Sequence, residues 1–217
     1  MSKLAYIRLP KTASTSMTKW LSKNKFDYDI LGFRGMREKI KDIDDTYYHF
    51  AITRNPFDRV VSSWAYLENV KIYRAKRNKQ LIGRRYRNYL DSKPISFLDF
   101  LKKDFSEMNS FELMHSKPQY DILKDENNSI DYINHIGNFD DIKKTLQKIC
   151  EVSNKNFEKC SVFPKSKPSN HNEYKTYYTD EEVNLVVEKY SDDFKFLNFS
   201  KSLFLTNFRA GANIDLL

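Results

Sequence analysis

Ile7-Arg8-Leu9-Pro10-Lys11-Thr12-Ala13-Ser14-Thr15-Ser16 decides how this chain is read. An apolar strand over 4–9 ends at a proline. A lysine follows at once, then small and hydroxyl residues, then a helical segment carrying Met17, Trp20 and Leu21. Strand, loop and helix in that order make a cradle for an anion. The loop N–H groups and the helix N-terminus attract negative charge. The hydroxyls of Thr12, Ser14, Thr15 and Ser16 add donors. Lys11 supplies a point charge where a leaving group would develop negative charge. The alternative is a Ser/Thr-rich turn that only caps a helix. A nucleotide-triphosphatase loop is excluded, because that motif places glycines before its lysine and this loop contains none.

A second segment argues against the plain cap. Tyr48-His49-Phe50-Ala51-Ile52-Thr53 reads as a buried strand, apolar and β-branched. It runs into Arg54-Asn55-Pro56-Phe57-Asp58-Arg59-Val60-Val61-Ser62-Ser63-Trp64. Asn55 suits an N-cap and Pro56 the first helical position. Arg54 therefore stands at a strand's C-terminal end, where open α/β sheets bind ligands. Arg59, Ser62 and Ser63 fall on one helix face. An arginine at the strand end and a serine two turns into the helix can grip one phosphate from two sides. For Arg59 the expected role is a salt bridge with a nearby carboxylate.

The first loop, of the form PKT-x-S/G-T-S, resembles the 5′-phosphosulfate loop of sulfotransferases. Those enzymes use 3′-phosphoadenosine 5′-phosphosulfate (PAPS) as sulfuryl donor. RNPFDRVVSSW resembles the family's 3′-phosphate motif. His115-Ser116-Lys117-Pro118-Gln119-Tyr120 is similar to the H-x-x-P-Q segment of Golgi carbohydrate sulfotransferases. Tyr132 through Asp141 resembles their late strand, and Asn170-His171-Asn172-Glu173-Tyr174 onward to Asp193-Phe194 resembles their closing pattern. The likeness spans nearly the whole chain and is nearest to the heparan 2-O, chondroitin and HNK-1 types.

The resemblance implies a site. Lys11 would contact the bridging oxygen and stabilise the departing phosphate. The loop residues Lys11, Thr12, Ala13, Ser14, Thr15 and Ser16 would hold the 5′-phosphate. Arg54 and Ser62 would hold the 3′-phosphate, and Lys167 in the 165–170 loop would lie near the donor's phosphates. The acceptor would be a hydroxyl, with a carbohydrate expected, and it needs a general base. Many relatives place His or Glu just after the second strand. Here that region, 32–38, has no histidine, and Glu38 is its only carboxylate. His115 ranks first as base and Glu38 second, while His49 and His135 are expected to be structural. Two other readings stand beside the enzyme: a catalytically silent binder of acidic glycans that keeps the fold, and a P-loop kinase. The glycine-free loop and the Arg54/Ser62 pair disfavour the kinase.

The 217 residues fit a single domain over 1–217, with a variable helical, acceptor-side segment at about 70–128. Hydrophobic content of 40% and aromatic content of 15% support a folded core despite 30% charged residues. The two cysteines, Cys150 and Cys160, are too few for a disulfide framework, and a reduced state is the simpler reading. The four histidines show no metal-ligand spacing, so no metal is expected. No apolar run approaches the ~20 residues of a membrane helix. The first strand leaves no room for a signal peptide, so a cytoplasmic bacterial or viral enzyme is the expectation. A net charge of +8 favours anionic partners. Eight basic residues between Lys71 and Arg87, with no acidic one among them, read either as a track for an acidic polysaccharide or as solvated surface. No nucleic-acid motif accompanies them.

The order of elements is strand 4–9, helix 15–23, strand 27–33, short helix 36–41, strand 47–53 and a long helix from Pro56. Ser96-Phe97-Leu98-Asp99 would cap a short helix with Leu98, Leu101 and Phe105 inward. A strand at 131–136, a helix at 140–152, and a capping box at Thr179-Asp180-Glu181-Glu182 follow. This alternation predicts an α/β, P-loop-like three-layer fold. Its centre is a parallel sheet of about four to five strands flanked by helices.

Overall fold

A computed structural model describes residues 3–31, 46–75, 93–166, 171–199 and 201, with the side chains of 71–75 left aside. The chain divides into two compact units. One comprises Met1–Arg54 and Gln119–Ser169, the other Asn55–Pro118 and Asn170–Leu217. The expected short helix at 36–41 and the far end of the 27–33 strand fall outside the described residues.

The first unit is built on a parallel sheet of four strands: β1 (Lys3–Ile7), β2 (Tyr28–Leu31), β3 (Tyr47–Thr53) and β4 (His135–Asn138), in the order β2-β1-β3-β4. Strand β3 pairs on both edges, with β1 from Tyr47 to Ala51 and with β4 from Phe50 to Thr53. Its apolar and β-branched run fits a strand covered on both sides. After β1 the chain forms α1 (Ser14–Lys23) and returns as β2 on one side, while β3 lies on the other. The gap between the C-terminal ends of β1 and β3 is therefore a topological switch point, the place where such sheets bind ligands.

Leu4 and Tyr6 alternate on one face of β1 and join Phe50 and Ile52 of β3. Against this face pack Met17, Trp20 and Leu21 of α1, and Leu146, Ile149 and Cys150 of α6 (Ile142–Val152). The spacing of Met17, Trp20 and Leu21 is that of one helix face, which is why this segment is helical and amphipathic. The helix stops in a Schellman arrangement. Lys25 adopts φ 51°, Lys25 N–H donates to Ser22 O, and Phe26 N–H donates to Leu21 O, each at 3.1 Å. Phe26 then folds back against Trp20, with ring centroids 4.7 Å apart.

Strand β4 starts later than the periodicity predicts. Residues 130–133 form a turn closed by Ile133 N–H to Ile130 O, and Asn134 reaches β3 through its side chain, accepting His49 N–H at 2.7 Å. Gly137 then lets β4 press against α6. A Cβ there would stand 1.9 Å from Thr145 Oγ1, so only glycine fits without displacement. Cys150 and Cys160 are both free and buried. Burial and the neighbouring Cys160 thiol push the Cys150 thiol up to about 12.

The second unit is helical. Its long helix α2 (Pro56–Ala75) starts as the sequence predicts, with Asn55 Oδ1 accepting Phe57 N–H at 3.0 Å. Phe57, Val60, Val61 and Leu67 of α2 form a core with α3 (Phe97–Lys102), α8 (Asp180–Lys189) and α9 (Ser191–Phe196). Ser96 caps α3 by accepting Asp99 N–H at 3.0 Å. The inward residues of α3 are Phe97, Phe100 and Leu101, not Leu98. The two aromatic rings and Leu101 share a face, and that larger apolar stripe determines which side is buried. Phe105 belongs to the short 3₁₀ turn Phe105–Glu107 beyond the helix. In chain order α4 (Ser110–Ser116) follows α3, and α5 (Gln119–Leu123), which belongs to the first unit, follows α4. The short helix α7 (Phe157–Cys160) follows α6. The capping box at Thr179 and Glu182 forms as read from the sequence.

Candidate active site

In the first unit the loop between β1 and α1 occupies the switch point. Lys11 and Ala13 take left-handed backbone conformations, φ 67° and 58°, without being glycine. The left-handed region costs a residue with a Cβ roughly 1–2 kcal/mol, so two such residues in three mark a backbone held to a purpose. Left-handed residues alternating with ordinary ones turn successive N–H groups toward a common point, the geometry of an anion nest. Ala13 is also the residue that opens α1, and no side chain caps that end. The first N–H groups of this ten-residue helix, which have no intrahelical acceptors, therefore follow directly on the loop.

The hydroxyls are unequal. Thr12 is fully buried and donates to Leu9 O at 3.1 Å, tying the loop back to the end of β1. Ser14 and Ser16 are buried in the first turn of α1, and Thr15 is half-buried. Ser16 Oγ accepts Ser166 N–H at 3.1 Å, which leaves its own O–H to donate elsewhere. Trp20 Nε1 donates to Cys160 O at 2.6 Å, so α1 also holds the start of the 161–166 segment. Lys167, expected near this site, lies outside the described residues.

Arg54 follows β3 and meets the same loop. Its Nη1 donates to Lys11 O at 3.0 Å, and its guanidinium carbon lies 4.4 Å from the centre of the Phe139 ring. The Arg54 peptide is gripped by Gln119, whose Oε1 accepts Arg54 N–H at 2.9 Å and whose Nε2 donates to Arg54 O at 2.8 Å. Gln119 is fully buried. The structure thus brings together Lys11, Thr12, Ala13, Ser14, Thr15, Ser16 and Arg54. Gln119 and Phe139 stood inside motifs quoted above but carried no role there. Nothing local marks them, since each acts on a residue far away in sequence.

Other predicted residues fall in the second unit. Ser62 is buried within α2. His115 is buried near the end of α4, its Nδ1 2.8 Å from Phe111 O. A backbone carbonyl at that nitrogen requires the Nδ1–H tautomer, which makes Nε2 the basic atom. Its ring packs against those of Tyr66 and Phe111, with centroids 4.9 and 4.7 Å away. The His115 carbonyl accepts Ser63 Oγ–H at 2.8 Å and Arg59 Nη2–H at 3.4 Å. Arg59, fully buried, thus supports the end of α4. Glu38 lies outside the described residues, as does the basic segment from 76 to 87.

His49 in β3 is buried with its ring edge-on to Tyr132. His135 faces Thr145 Oγ1 at 3.3 Å, and burial holds its pKa below the ordinary value. Among the described residues no group of His, Cys, Asp and Glu is placed to hold a metal ion, and no helix is long and apolar enough to cross a membrane.

A parallel sheet with a lysine-bearing nest at its switch point and an arginine from the adjacent strand end is the geometry that the sequence motifs require. The sequence profile described as the Sulfotransferase family matches residues 1–200. The chain belongs to the sulfotransferase family. It is a sulfotransferase enzyme, and its chemistry is transfer of a sulfuryl group to a hydroxyl-bearing acceptor. Neither a curated protein nor a solved structure matches the chain.

Proposed function

We propose that this sulfotransferase takes its sulfuryl group from PAPS and passes it to a carbohydrate hydroxyl, with the two units acting as one domain. The observation that carries the donor reading is the paired left-handed backbone at Lys11 and Ala13, at the mouth of α1 and tied to Arg54. It offers main-chain donors for one phosphate beside a guanidinium for another. A donor with phosphate at both ends of its ribose suits that pair better than a nucleotide with a single phosphate cluster.

The donor supplies the sulfuryl group. Sulfuryl transfer resembles phosphoryl transfer: attack in line, dispersed charge, and catalysis by positioning and electrostatics. In this reading the nest and the Ser14, Thr15 and Ser16 hydroxyls bind the 5′-phosphate. Lys11 stabilises the charge that develops on the departing oxygen. Arg54 binds the 3′-phosphate, with Ser62 assigned to the same phosphate by the sequence motif alone. His115 Nε2 takes the acceptor's proton, a role supported by its tautomer, with Glu38 as the alternative base. Acidic polysaccharide is the acceptor subclass favoured by the basic run from Lys71 to Arg87, which is a sequence argument.

Calorimetry with 3′,5′-bisphosphoadenosine, AMP and ATP tests the donor. The bisphosphate is expected to bind far more tightly than either. Equal affinity for AMP would remove the 3′-phosphate site, and preference for ATP would restore the kinase reading.

A further inference from the structure

We propose that Gln119 is a positioning residue for the donor site, acting through the Arg54 peptide, and that it governs discrimination for a 3′-phosphorylated nucleotide. The inference rests on the donor reading above and adds a residue to it.

Strand β3 runs out of neighbours at its C-terminal end. Its pairing with β1 stops at Ala51 and with β4 at Thr53. Arg54 is the next residue and is buried, so its N–H and C=O need partners that no strand provides. The Gln119 carboxamide provides both, accepting at 2.9 Å and donating at 2.8 Å. One planar amide thus substitutes for the missing strand. Both bonds require the same amide orientation, so neither can be kept by flipping the group. Arg54 is therefore held at both ends: its peptide by Gln119, its guanidinium by the Lys11 carbonyl and the Phe139 ring. A guanidinium held in this way is oriented before a phosphate arrives, and preorganisation of this kind raises affinity.

Two variants separate positioning from mere stability. Gln119→Met keeps the approximate size and removes both bonds. Gln119→Glu keeps an acceptor for Arg54 N–H and loses the donor to Arg54 O. The readout is the ratio of the AMP dissociation constant to that of 3′,5′-bisphosphoadenosine, measured by calorimetry on the full chain. Gln119→Met is expected to reduce that ratio by about tenfold or more, about 1.4 kcal/mol, with AMP affinity unchanged. Gln119→Glu should fall between the two. In an Arg54→Ala background, Gln119→Met should change the ratio no further, because the residue through which it acts is gone. A wild-type protein that discriminates, with variants that keep the ratio and lose only thermal stability, would overturn this inference and leave the donor reading intact. A wild-type protein that does not discriminate would overturn both.

Discussion

The end of the sheet in the first unit and the end of α4 in the second present polar groups by opposite means. Around Lys11 and Ala13 the backbone does the presenting. Two residues stand in the left-handed region, a helix opens without a side-chain cap, and a buried amide replaces a strand at Arg54. At His115 side chains do it. Arg59 and Ser63 hold the carbonyl, Phe111 O selects the tautomer, and two rings fix the imidazole. A nest made of N–H groups tolerates many side-chain changes, provided that the backbone keeps its shape. An imidazole held by its neighbours has no substitute. The first region should therefore degrade by degrees and the second all at once.

That contrast is sharpest at His115. His115→Ala should lower turnover by about 10²–10⁴, the usual range for general acid–base catalysis, with donor affinity retained. Steady-state rates and calorimetry on one preparation check it. Survival of activity, with its loss in Glu38→Gln instead, would move the base to the segment after β2.

Lys11→Ala should reduce the chemical step by roughly 10²–10³, the scale for one preorganised group that stabilises transition-state charge. Single-turnover rates at saturating donor read it, and binding of the bisphosphate product should fall less. A change within a few-fold would reduce Lys11 to an electrostatic contact. Arg54→Ala should cost about 2–4 kcal/mol of bisphosphate affinity, as for a lost charge-assisted contact, and much less of AMP affinity.

The smallest effect tests the backbone half of the comparison. Ala13→Gly should change thermal stability by less than about 1 kcal/mol, because relief of the left-handed penalty offsets the added freedom of the unfolded chain. Activity should persist. Ala13→Val should lose donor binding, since a β-branched residue strongly resists φ 58°. Equal behaviour of the two variants would mean that the loop reshapes freely and that its conformation carries no function.

The legibility of the sequence follows the same division. Strand β3 and the start of α2 stand where the apolar run and the Asn55-Pro56 pair place them, because both signals are local. The Thr179/Glu182 capping box was readable for the same reason. The strand expected at 131–136 begins instead at His135. A turn at 130–133 and the Asn134 side chain take over the bonding that periodicity assigned to backbone pairing. The sequence singles out the loop hydroxyls and Arg54 because a phosphate site would demand those residue types. Gln119 and Phe139 could not be assigned roles, because the amide reaches 65 residues along the chain and the ring acts through a face, neither of which leaves a pattern in sequence.

Transfer of label from sulfur-labelled PAPS to a panel of neutral and acidic carbohydrates, with release of 3′,5′-bisphosphoadenosine followed in parallel, tests the central claim most directly. Label should appear on at least one carbohydrate, one equivalent of bisphosphate should be released per label, and Lys11→Ala should abolish both. Tight bisphosphate binding with no label on any acceptor would contradict the claim and leave a silent glycan-binding protein that retains the fold.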